Sequence, residues 1–349
     1  MTLTTFAATL FGPEDLRMVE RPLEPLAPDM VRVRFGAGGI CGSDMHYFRH
    51  ARTGDFVVTS PLVLGHEIAG EVVDIAGAAP GLRIGDRVAV NPSRWCGHCT
   101  PCREGRPNLC ENIFFMGSAS KTPHMQGGFA SYFDAIPAQC VKIPDHVPYQ
   151  AAALAEPLAV CLHAVARAGD IKGKRAVLFG AGPIGLLTML AARRAGVAHV
   201  TVVDIAAAPL AFASRLGADS VEDISSGDEG LKAQAAKTPF DVAFEVSGTA
   251  PGLAGAIGIV RRGGMVVQIG NLPGGQIPTP SNAVMAKEID LRGSFRFGPE
   301  FMTAVQLISD GSVDVLALVT AERPLSSAPD ALRLALDRSQ SVKIVLTAH

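Results

Sequence analysis

The stretch RAVLFGAGPIGLLTMLAARRAGVAHVTVVD, residues 175–204, decides how this chain folds. It opens with the apolar run 176–179, which has no polar face and is therefore typical of a strand buried on both sides. Three glycines at G-x-G-x-x-G spacing follow, and residues 186–195 then predict a helix that Gly196 ends. A second apolar strand stops at Asp204, 19 residues after the third glycine. This order of strand, glycine turn, helix, strand and acid is typical of a dinucleotide-binding fold.

Each glycine of this turn has its own physical role. Gly180 permits a tight turn, Gly182 lets the backbone approach a pyrophosphate, and Gly185 lets the helix pack against the strand. N–H groups at the helix start attract anionic phosphates, and Asp204 can accept hydrogen bonds from both ribose hydroxyls. The alternative is a glycine-rich turn in another α/β protein, with Asp204 as a solvated strand end. The predicted cofactor residues are Gly180, Gly182, Pro183, Ile184, Gly185, Asp204, Ile269 and Gly270.

The composition argues against several classes of partner. The net charge is −2 across 349 residues, without a basic stretch, so nucleic acid and anionic membranes are poor partners. Although 48% of the residues are hydrophobic, no run approaches the roughly 18 apolar residues of a membrane span. The first residues lack a basic segment followed by an apolar core, so we expect no secretion signal. Seven cysteines, four of them clustered, suit a reducing cytoplasm better than a disulfide framework.

The length favours two domains, and the strand patterns place one of them inside the other. Short alternating runs, separated by Gly and Pro, lie at 31–35, 70–75 and 85–90. Longer buried-strand patterns, with helical segments between them, lie at 176–179, 200–203, 241–246 and 265–269. From residue 289 the sequence returns to short mixed elements. We therefore predict a nucleotide-binding domain at 154–289 and a mostly β domain built from 1–153 and 290–349.

A first metal-binding pattern lies in the N-terminal part. Cys41 stands in GICGSDMHY, residues 39–47, and the pair His66 and Glu67 begins 25 residues after it. Thiolate, imidazole and carboxylate are zinc ligands, and three protein ligands leave one position open for water or substrate. Each residue alone would more often be structural, since a lone Cys usually behaves as a small hydrophobe. Their combination with a dinucleotide-binding domain favours a catalytic zinc site.

A second metal-binding pattern follows on a loop rich in Gly, Pro and charge. The spacing C-x2-C-x2-C-x7-C is formed by Cys96, Cys99, Cys102 and Cys110. Four thiolates close a tetrahedron and leave no vacancy for chemistry, so a zinc ion bound here would be structural. An iron–sulfur cluster, which also takes four cysteines, is the alternative. His98 lies within the loop but is surplus to four thiolates, and we expect it to be solvated.

Together these motifs resemble the zinc-dependent medium-chain alcohol dehydrogenases, and the resemblance covers nearly the whole chain. Within that family the chain looks most like the polyol, or sorbitol-type, branch and its L-idonate 5-dehydrogenases. The likeness is carried by GSDMHYFR at 42–49, TGDFVV at 53–58, NPS at 91–93 and MGSAS at 116–120. The resemblance implies an α/β protein: a GroES-like, mostly β catalytic domain with both zinc sites, plus a doubly wound Rossmann domain with a parallel sheet. It also implies a homotetramer, or else a homodimer, with the reaction in the cleft between the two domains.

The resemblance assigns a metal role to four residues. It makes Cys41 and His66 ligands of the catalytic zinc, with Glu67 beside them. Glu156 matches a glutamate that binds the metal directly or through water. Because Pro157 follows it, helical geometry is disfavoured at Glu156 and a new helix is expected to start there. The alternative is that Glu156 is an ordinary charge at a helix N-terminus.

The resemblance also assigns a proton relay and substrate contacts. Ser43 matches the hydroxyl that takes the alcohol proton, and His46 matches the histidine that passes it on through the nicotinamide ribose. Polyol enzymes of this branch often have Arg-Tyr where this chain has Arg296 and Phe297, so one hydrogen bond to a neutral polyol is lost. Arg296 can still pair with a carboxylate, and Tyr47 is a possible donor in the pocket. Other basic candidates for the substrate pocket are Arg49, Arg52 and Arg94.

The implied reaction is the reversible oxidation of a secondary alcohol to a ketone, with the hydride passing to the nicotinamide. NAD is predicted because Asp204 would repel the extra phosphate of NADP, and residues 205–208, IAAA, offer no Arg or Lys for it. The favoured substrate is L-idonate, oxidised at C5 to 5-keto-D-gluconate, since an aldonate needs one cation and fewer hydroxyl partners than a neutral polyol. The alternatives are sorbitol, xylitol, another sugar alcohol or threonine as substrate, and a cofactor-binding protein without turnover.

Overall fold

The computed structural model describes residues 4–337 and 339–349, and the chain divides into two units. One unit comprises the chain up to Pro157 together with Phe301–His349, and the other is Leu158–Glu300. The predicted domain limits, 153/154 and 289/290, lie four and eleven residues before these boundaries. Within the described ranges, no helix combines the length and the apolar character needed to cross a membrane.

The first segment of the chain is mostly β. Its elements are β1 (Thr4–Gly12), β2 (Asp15–Pro22), β3 (Met30–Gly39), α1 (Gly42–His50), β4 (Arg52–Thr53), β5 (Phe56–Val57), β6 (Leu62–Val63), β7 (Glu67–Ala76), β8 (Arg87–Val90), β9 (Ser93–Arg94), α2 (Thr100–Arg103), β10 (Phe114–Phe115), β11 (Tyr132–Ala135), β12 (Cys140–Lys142) and α3 (Tyr149–Ala153). Short 3₁₀ turns connect some of them.

Strands and helices then alternate. This segment contains α4 (Ala155–Ala168), β13 (Arg175–Phe179), α5 (Pro183–Arg194), β14 (His199–Asp204), α6 (Ala207–Arg215), β15 (Ser220–Asp223), α7 (Glu229–Lys237), β16 (Phe240–Glu245), α8 (Ala250–Ile259), β17 (Val260–Gln268), α9 (Ser281–Lys287) and β18 (Asp290–Gly293). The last part of the chain adds α10 (Glu300–Ser309), β19 (Val319–Pro324), α11 (Ala328–Ala335) and β20 (Lys343–Thr347).

Strand β3 is the central element of the first unit. A seven-stranded sheet runs in the order β12–β8–β7–β3–β20–β19, and β11 also pairs with β3. Every second residue of β3, namely Val31, Val33 and Phe35, is buried in the core on one face of this sheet. Because β19 and β20 come from the C-terminal part of the chain, this sheet combines strands that precede and follow the second unit in the sequence.

The second unit is a parallel six-stranded sheet in the order β15–β14–β13–β16–β17–β18. Renumbered from β13, this is the doubly wound order 3-2-1-4-5-6, whose switch point lies between β13 and β16. The prediction of a Rossmann domain beside a mostly β domain is confirmed.

Two strands of this sheet were not predicted from the sequence. β15 and β18 are the end strands of the sheet, four residues long each, and no residue of either is fully buried. A half-exposed end strand needs no continuous apolar run, so the pattern used to find the inner strands is absent from both. The interpretation that the parallel-sheet pattern ends before residue 289 was therefore wrong at β18.

Candidate active site

Cys41, His66 and Glu67 come together at one end of strand β3. Cys41 lies between β3 and α1, His66 immediately precedes β7, and Glu67 is the first residue of β7. In the antiparallel pairing of β3 and β7, Gly39 lies opposite Glu67. The chain therefore leaves this end of the two strands near Cys41 and returns to it at His66, 25 residues later. One ligand atom from each residue lies within 4.8 Å of the others. We call Cys41, His66 and Glu67 the open group.

Asp44 organises this open group, although the sequence analysis assigned it no role. Its carboxylate is fully buried and accepts the backbone N–H of Cys41 at 3.0 Å and that of Gly65 at 3.3 Å. The same carboxylate lies 3.6 Å from Nδ1 of His66. A carboxylate behind a metal-binding histidine sets its ring orientation and basicity. The sequence signal for Asp44 was its place as an acid at the third position of a helix that starts directly after Cys41.

Lys343 is the second residue that the sequence analysis missed. From β20 its ammonium reaches both oxygens of Glu67, at 2.7 and 2.5 Å, and donates to the carbonyl of Ile40 at 2.8 Å. The two side chains are 3% and 1% exposed. Burial lowers the pKa of Lys343, but the charges of Glu67 and Cys41 outweigh it and raise the pKa. Gly39 leaves the space for this pair, because a Cβ there would overlap the Glu67 carboxylate.

Glu156 lies inside the first turn of α4, so the expectation of non-helical geometry there was wrong. Pro157 is tolerated because the N–H groups of a first helical turn have no partner within the helix. Glu156 is almost completely buried, and burial raises its pKa to about 7, with the charges of Glu67 and Asp44 adding to the effect. The charges of His66 and Lys343 oppose it.

The open group fits a divalent zinc ion. It offers one sulfur, one nitrogen and one oxygen ligand within a single coordination sphere, which is a donor set that zinc accepts. The carboxylates of Asp44, Glu67 and Glu156 are buried here together with the ammonium of Lys343 and the imidazole of His66, whose pKa the charges of Asp44 and Cys41 raise well above its usual value despite burial. A bound divalent cation would add to the positive charge that compensates these carboxylates.

The two residues of the predicted proton relay lie on helix α1, one turn apart. The hydroxyl Oγ of Ser43 is 3.5 Å from Nε2 of His66, which places it against the open group. The side chain of His46 reaches solvent, and partial burial together with the neighbouring His50 lowers its pKa. His46 is therefore neutral near pH 7 and can accept a proton.

The predicted substrate contacts are distributed over both units. Tyr47 of the first unit is 2% exposed, and its hydroxyl accepts the backbone N–H of Ala119 at 3.0 Å. In the second unit, the guanidinium of Arg296 lies 4.9 Å from the ring centroid of Phe295, and Phe297 is 1% exposed. The deep burial of Tyr47 and Phe297 favours packing roles for both, so Arg296 is the stronger candidate for a substrate contact.

Residues 96–110, which we call the cysteine lobe, hold the second ligand cluster. The sulfurs of Cys96, Cys99, Cys102 and Cys110 lie within 4.8 Å of one another, and His98 is exposed outside this cluster. Tetrahedral zinc–sulfur bonds of about 2.3 Å would place the sulfurs about 3.8 Å apart. The Cys99 and Cys110 sulfurs are 3.9 Å apart.

Backbone N–H groups prepare this lobe for thiolates. The N–H of Cys96 points at the sulfur of Cys110, at 3.3 Å, and the N–H of Cys99 at the sulfur of Cys96, at 3.4 Å. Donation by the backbone N–H groups of His98 and Cys99 lowers the pKa of Cys96 to about 6. The Cys96 thiol is therefore suited to bind a metal ion, whereas burial and the neighbouring sulfurs raise the pKa of Cys102 to about 12.

The glycine turn of the second unit is tied to the end of β14. The N–H of Ala181 donates to Asp204 Oδ2 at 2.7 Å, and those of Ile205 and Ala206 donate to Oδ1 at 2.8 and 3.1 Å. Gly180 adopts φ +116°, and a Cβ there would lie 2.9 Å from the N atom of Ser247.

Helix α5 follows this turn and begins at Pro183, three residues before the predicted start. The reason is that proline fits the first turn of a helix, and Gly182 precedes it as the N-cap residue.

Glu245 is a third residue that the sequence analysis missed, at the end of strand β16. It is fully buried, and its carboxylate accepts from Ser247 Oγ at 2.5 Å and from the N–H of Gly248 at 2.9 Å. Its backbone carbonyl accepts from the N–H groups of Ile269 and Gly270, both predicted cofactor residues. The sequence signal for Glu245 was an acid at the end of an inner strand, and the sequence analysis applied this signal only to Asp204.

The first unit carries the open group and the cysteine lobe, and the second unit is a Rossmann sheet. This combination is typical of zinc- and nicotinamide-dependent dehydrogenases. Residues 27–145 match the alcohol dehydrogenase GroES-like domain, and residues 183–310 match the zinc-binding dehydrogenase family. The chain belongs to the zinc-binding dehydrogenases and is an oxidoreductase.

Curated relatives and a solved structure support the branch. The chain is 40% identical over 315 residues to the L-idonate 5-dehydrogenase (NAD(P)(+)) of Escherichia coli strain K12, covering 90% of each chain. It is 34% identical over 343 residues to the sorbitol dehydrogenase of Bacillus subtilis strain 168, covering 97% of this chain and 96% of that one. The crystal structure of L-idonate 5-dehydrogenase from E. coli K-12 MG1655 matches with a TM-score of 0.93 at 37% identity over 99% of both chains. The predicted resemblance is confirmed.

Proposed function

We propose that this protein oxidises L-idonate at C5 to 5-keto-D-gluconate with NAD. The observation that carries the proposal is the complete open group in a chain 40% identical to an L-idonate 5-dehydrogenase. The positive charge of Arg296 suits a substrate carboxylate, which an aldonate has and a neutral polyol lacks. The second candidate is a sugar-alcohol dehydrogenase, which the similarity to sorbitol dehydrogenase favours.

The residues of this chain have separate tasks in that reaction. Cys41, His66 and Glu67 hold the catalytic zinc, with Glu156 beside them as a ligand or a partner of a bound water. When bound, zinc supplies Lewis acidity that lowers the pKa of the substrate hydroxyl, and the nicotinamide supplies the hydride acceptor.

The alcohol proton leaves along α1. Ser43 Oγ accepts it as the C5–O bond becomes a carbonyl, and His46 takes it towards solvent. The lowered pKa of His46 keeps the ring neutral and able to accept that proton near pH 7. Asp44 and Lys343 hold the histidine and carboxylate of the open group in place, so that no reorganisation is needed during the reaction.

The cysteine lobe holds a structural zinc in this proposal, so each chain carries two zinc ions. Its four sulfurs use every coordination position, which excludes substrate from that metal.

The proposed preference for NAD rests on Asp204. Its carboxylate is nearly buried and already holds three backbone N–H groups, so it is fixed at the ribose position. A fixed negative charge repels a 2′-phosphate, and residues 205–208 provide no cation to offset it.

Substrate kinetics test the proposed function. The ratio kcat/KM is measured with NAD for L-idonate, sorbitol, xylitol and threonine, in the parent and in Arg296→Ala. A charge-assisted contact of about 1.5–3 kcal/mol predicts a preference for L-idonate over sorbitol of roughly tenfold to a hundredfold. The preference should fall in Arg296→Ala. A parent that prefers sorbitol refutes the idonate assignment, and an unchanged ratio in Arg296→Ala refutes only the role of Arg296.

We further propose a cytoplasmic homotetramer, with a homodimer as the alternative. End strand β18 supports an association, because Leu291 on it is 41% exposed and Met285 nearby in sequence is 70% exposed. A mass of 36.4 kDa by light scattering would contradict any oligomer.

A further inference from the structure

The segment 294–299 joins β18 to α10 and carries both second-unit residues that were predicted to contact the substrate. Arg296 adopts φ +54°, in the left-handed region that residues other than glycine seldom occupy. Ala51 and Glu288 share this conformation as C-caps of helices, and Glu14 and Asp29 share it in turns next to strands. Arg296 instead lies between a strand and a helix. Backbone strain of this kind persists only where contacts over-determine it, and it concentrates at ligand-binding positions.

Two contacts fix the residues that follow Arg296. Phe297 is buried, so its side chain anchors the loop from within. The backbone N–H of Gly298 donates to Oε2 of Glu300 at 2.7 Å, and Oε1 of the same carboxylate lies 2.9 Å from Nδ1 of His163 on helix α4. One carboxylate thus ties the loop to α4.

The contact between His163 and Glu300 is sheltered from solvent, and its carboxylate is charged. The side chains of His163 and Glu300 are 14% and 18% exposed. Burial raises the pKa of Glu300, but hydrogen bonds from His163 and from the N–H groups of Glu300 and Gly298 outweigh this and lower the pKa. The carboxylate is therefore ionised at neutral pH and accepts both hydrogen bonds at charge-assisted strength.

We propose that His163 and Glu300 are positioning residues that hold Arg296 in its strained conformation and thereby set the selectivity for an acid substrate. The proposal rests on the proposed function, in which Arg296 pairs with the carboxylate of an aldonate. With Phe297 and Gly298 both anchored, the backbone at Arg296 has little freedom to relax. Without the His163–Glu300 contact, the Glu300 carboxylate is free to rotate and its hydrogen bond from Gly298 weakens. The φ angle at Arg296 then relaxes to negative values, and the guanidinium moves away from its productive position.

The experiment compares substrates rather than total activity. In His163→Phe, kcat/KM for L-idonate should fall about tenfold, while kcat/KM for sorbitol changes much less, because sorbitol has no carboxylate for Arg296. The loss should appear as a raised KM for L-idonate with the KM for NAD unchanged. In Glu300→Gln, one amide oxygen can still accept from Gly298, so the loss should be smaller.

A rescue variant and a control separate positioning from general damage. In His163→Asn, the side-chain amide nitrogen stands close to where Nδ1 stood, so the idonate-to-sorbitol ratio should recover. His199 provides the control, since it is half-buried in the same unit and bonded to Thr201 and Ser220, away from the loop. His199→Phe should leave the ratio at the parent value.

The double variant Arg296→Ala, His163→Phe tests whether His163 affects substrate selectivity through Arg296. If His163 acts through Arg296, the ratio in the double variant equals that in Arg296→Ala alone. Two outcomes overturn the proposal but leave the proposed function standing. The first is that the losses in the idonate-to-sorbitol ratio from the two substitutions are additive. The second is that His163→Phe keeps both the parent ratio and the parent thermal stability. A parent that prefers sorbitol overturns both. Equal losses on all substrates in His163→Phe, unrescued by asparagine, assign the pair to fold stability and also overturn the proposal.

Discussion

The open group and the cysteine lobe each bring together residues that could hold a zinc ion, but they are built in opposite ways. All four sulfurs of the lobe come from 15 residues of loop, held mainly by N–H groups of the same loop. The open group depends on three sheet strands, β7, β3 and β20, the last of which comes from the other end of the chain. A local site can supply folding energy to its own loop, whereas a site at a strand end receives its geometry from the sheet. Loss of metal should therefore unfold the lobe but only inactivate the open group.

Cys41→Ser should have the largest effect on activity, and it tests the prediction that loss of metal from the open group inactivates the enzyme without unfolding it. Activity should fall by at least about a thousandfold, because the catalytic zinc loses its only thiolate. Metal analysis should show one zinc per chain instead of two, with the thermal transition close to that of the parent. Cys140→Ser is the control, since burial raises the pKa of that thiol to about 12 and it lies outside both clusters. Unfolding of Cys41→Ser would reverse the roles given to the two sites.

Cys99→Ser tests the prediction that the cysteine lobe depends on its metal ion for folding. Three remaining sulfurs bind zinc weakly, so the lobe loses the folding energy of its closed site. The thermal transition should fall by about 5–10 °C in scanning calorimetry, with a larger loss of order in the lobe by hydrogen exchange. If Cys99→Ser keeps the parent transition and two zinc ions per chain, the lobe does not depend on its metal in the proposed way.

Lys343→Met tests whether the sheet itself supports the open group. Removing the ammonium leaves the Glu67 carboxylate buried without its partner, a loss of about 3 kcal/mol in the metal-free protein. The loss should be smaller with zinc bound, since the cation then faces the same carboxylate. Unfolding with and without a chelator measures both values. Lys142→Met is the matched control, because its pair with Asp86 is half exposed and contributes under about 1 kcal/mol. Equal losses with and without zinc would contradict this account of Lys343.

Asp204→Ala gives the smallest expected effect and extends the comparison to the cofactor turn. The preference for NAD over NADP in kcat/KM should narrow by about tenfold, because the repulsion of the 2′-phosphate is lost. Asp223 ends the neighbouring strand β15 in register with Asp204 and is exposed, so Asp223→Ala is the control. Equal efficiency with both cofactors in the parent would refute the preference itself.

Residues whose role depends on a neighbour close in sequence were predictable. The cysteine spacing, the glycine turn and the inner strands all carry short-range patterns, because a tight turn or a buried strand dictates its own residue types. Asp44 and Glu245 were missed although each had a local signal, and Lys343 was missed because its partner is distant in the sequence. Lys343 is an ordinary lysine in a C-terminal strand until β20 pairs with β3 and brings it to Glu67, 276 positions away.

The sequence alone was enough to identify the family and the two kinds of domain, and to predict the nucleotide turn and both sets of metal ligands. These follow from spacing, which is a property of the chain alone. The burial of Asp44, Lys343 and Glu245 next to those residues, and the helical geometry of Glu156, became known from the folded structure. The same holds for the left-handed conformation of Arg296. The reason is that the free energy of a buried charge or a strained dihedral is set by atoms that folding brings near, so a local signal marks a polar position without showing what surrounds it.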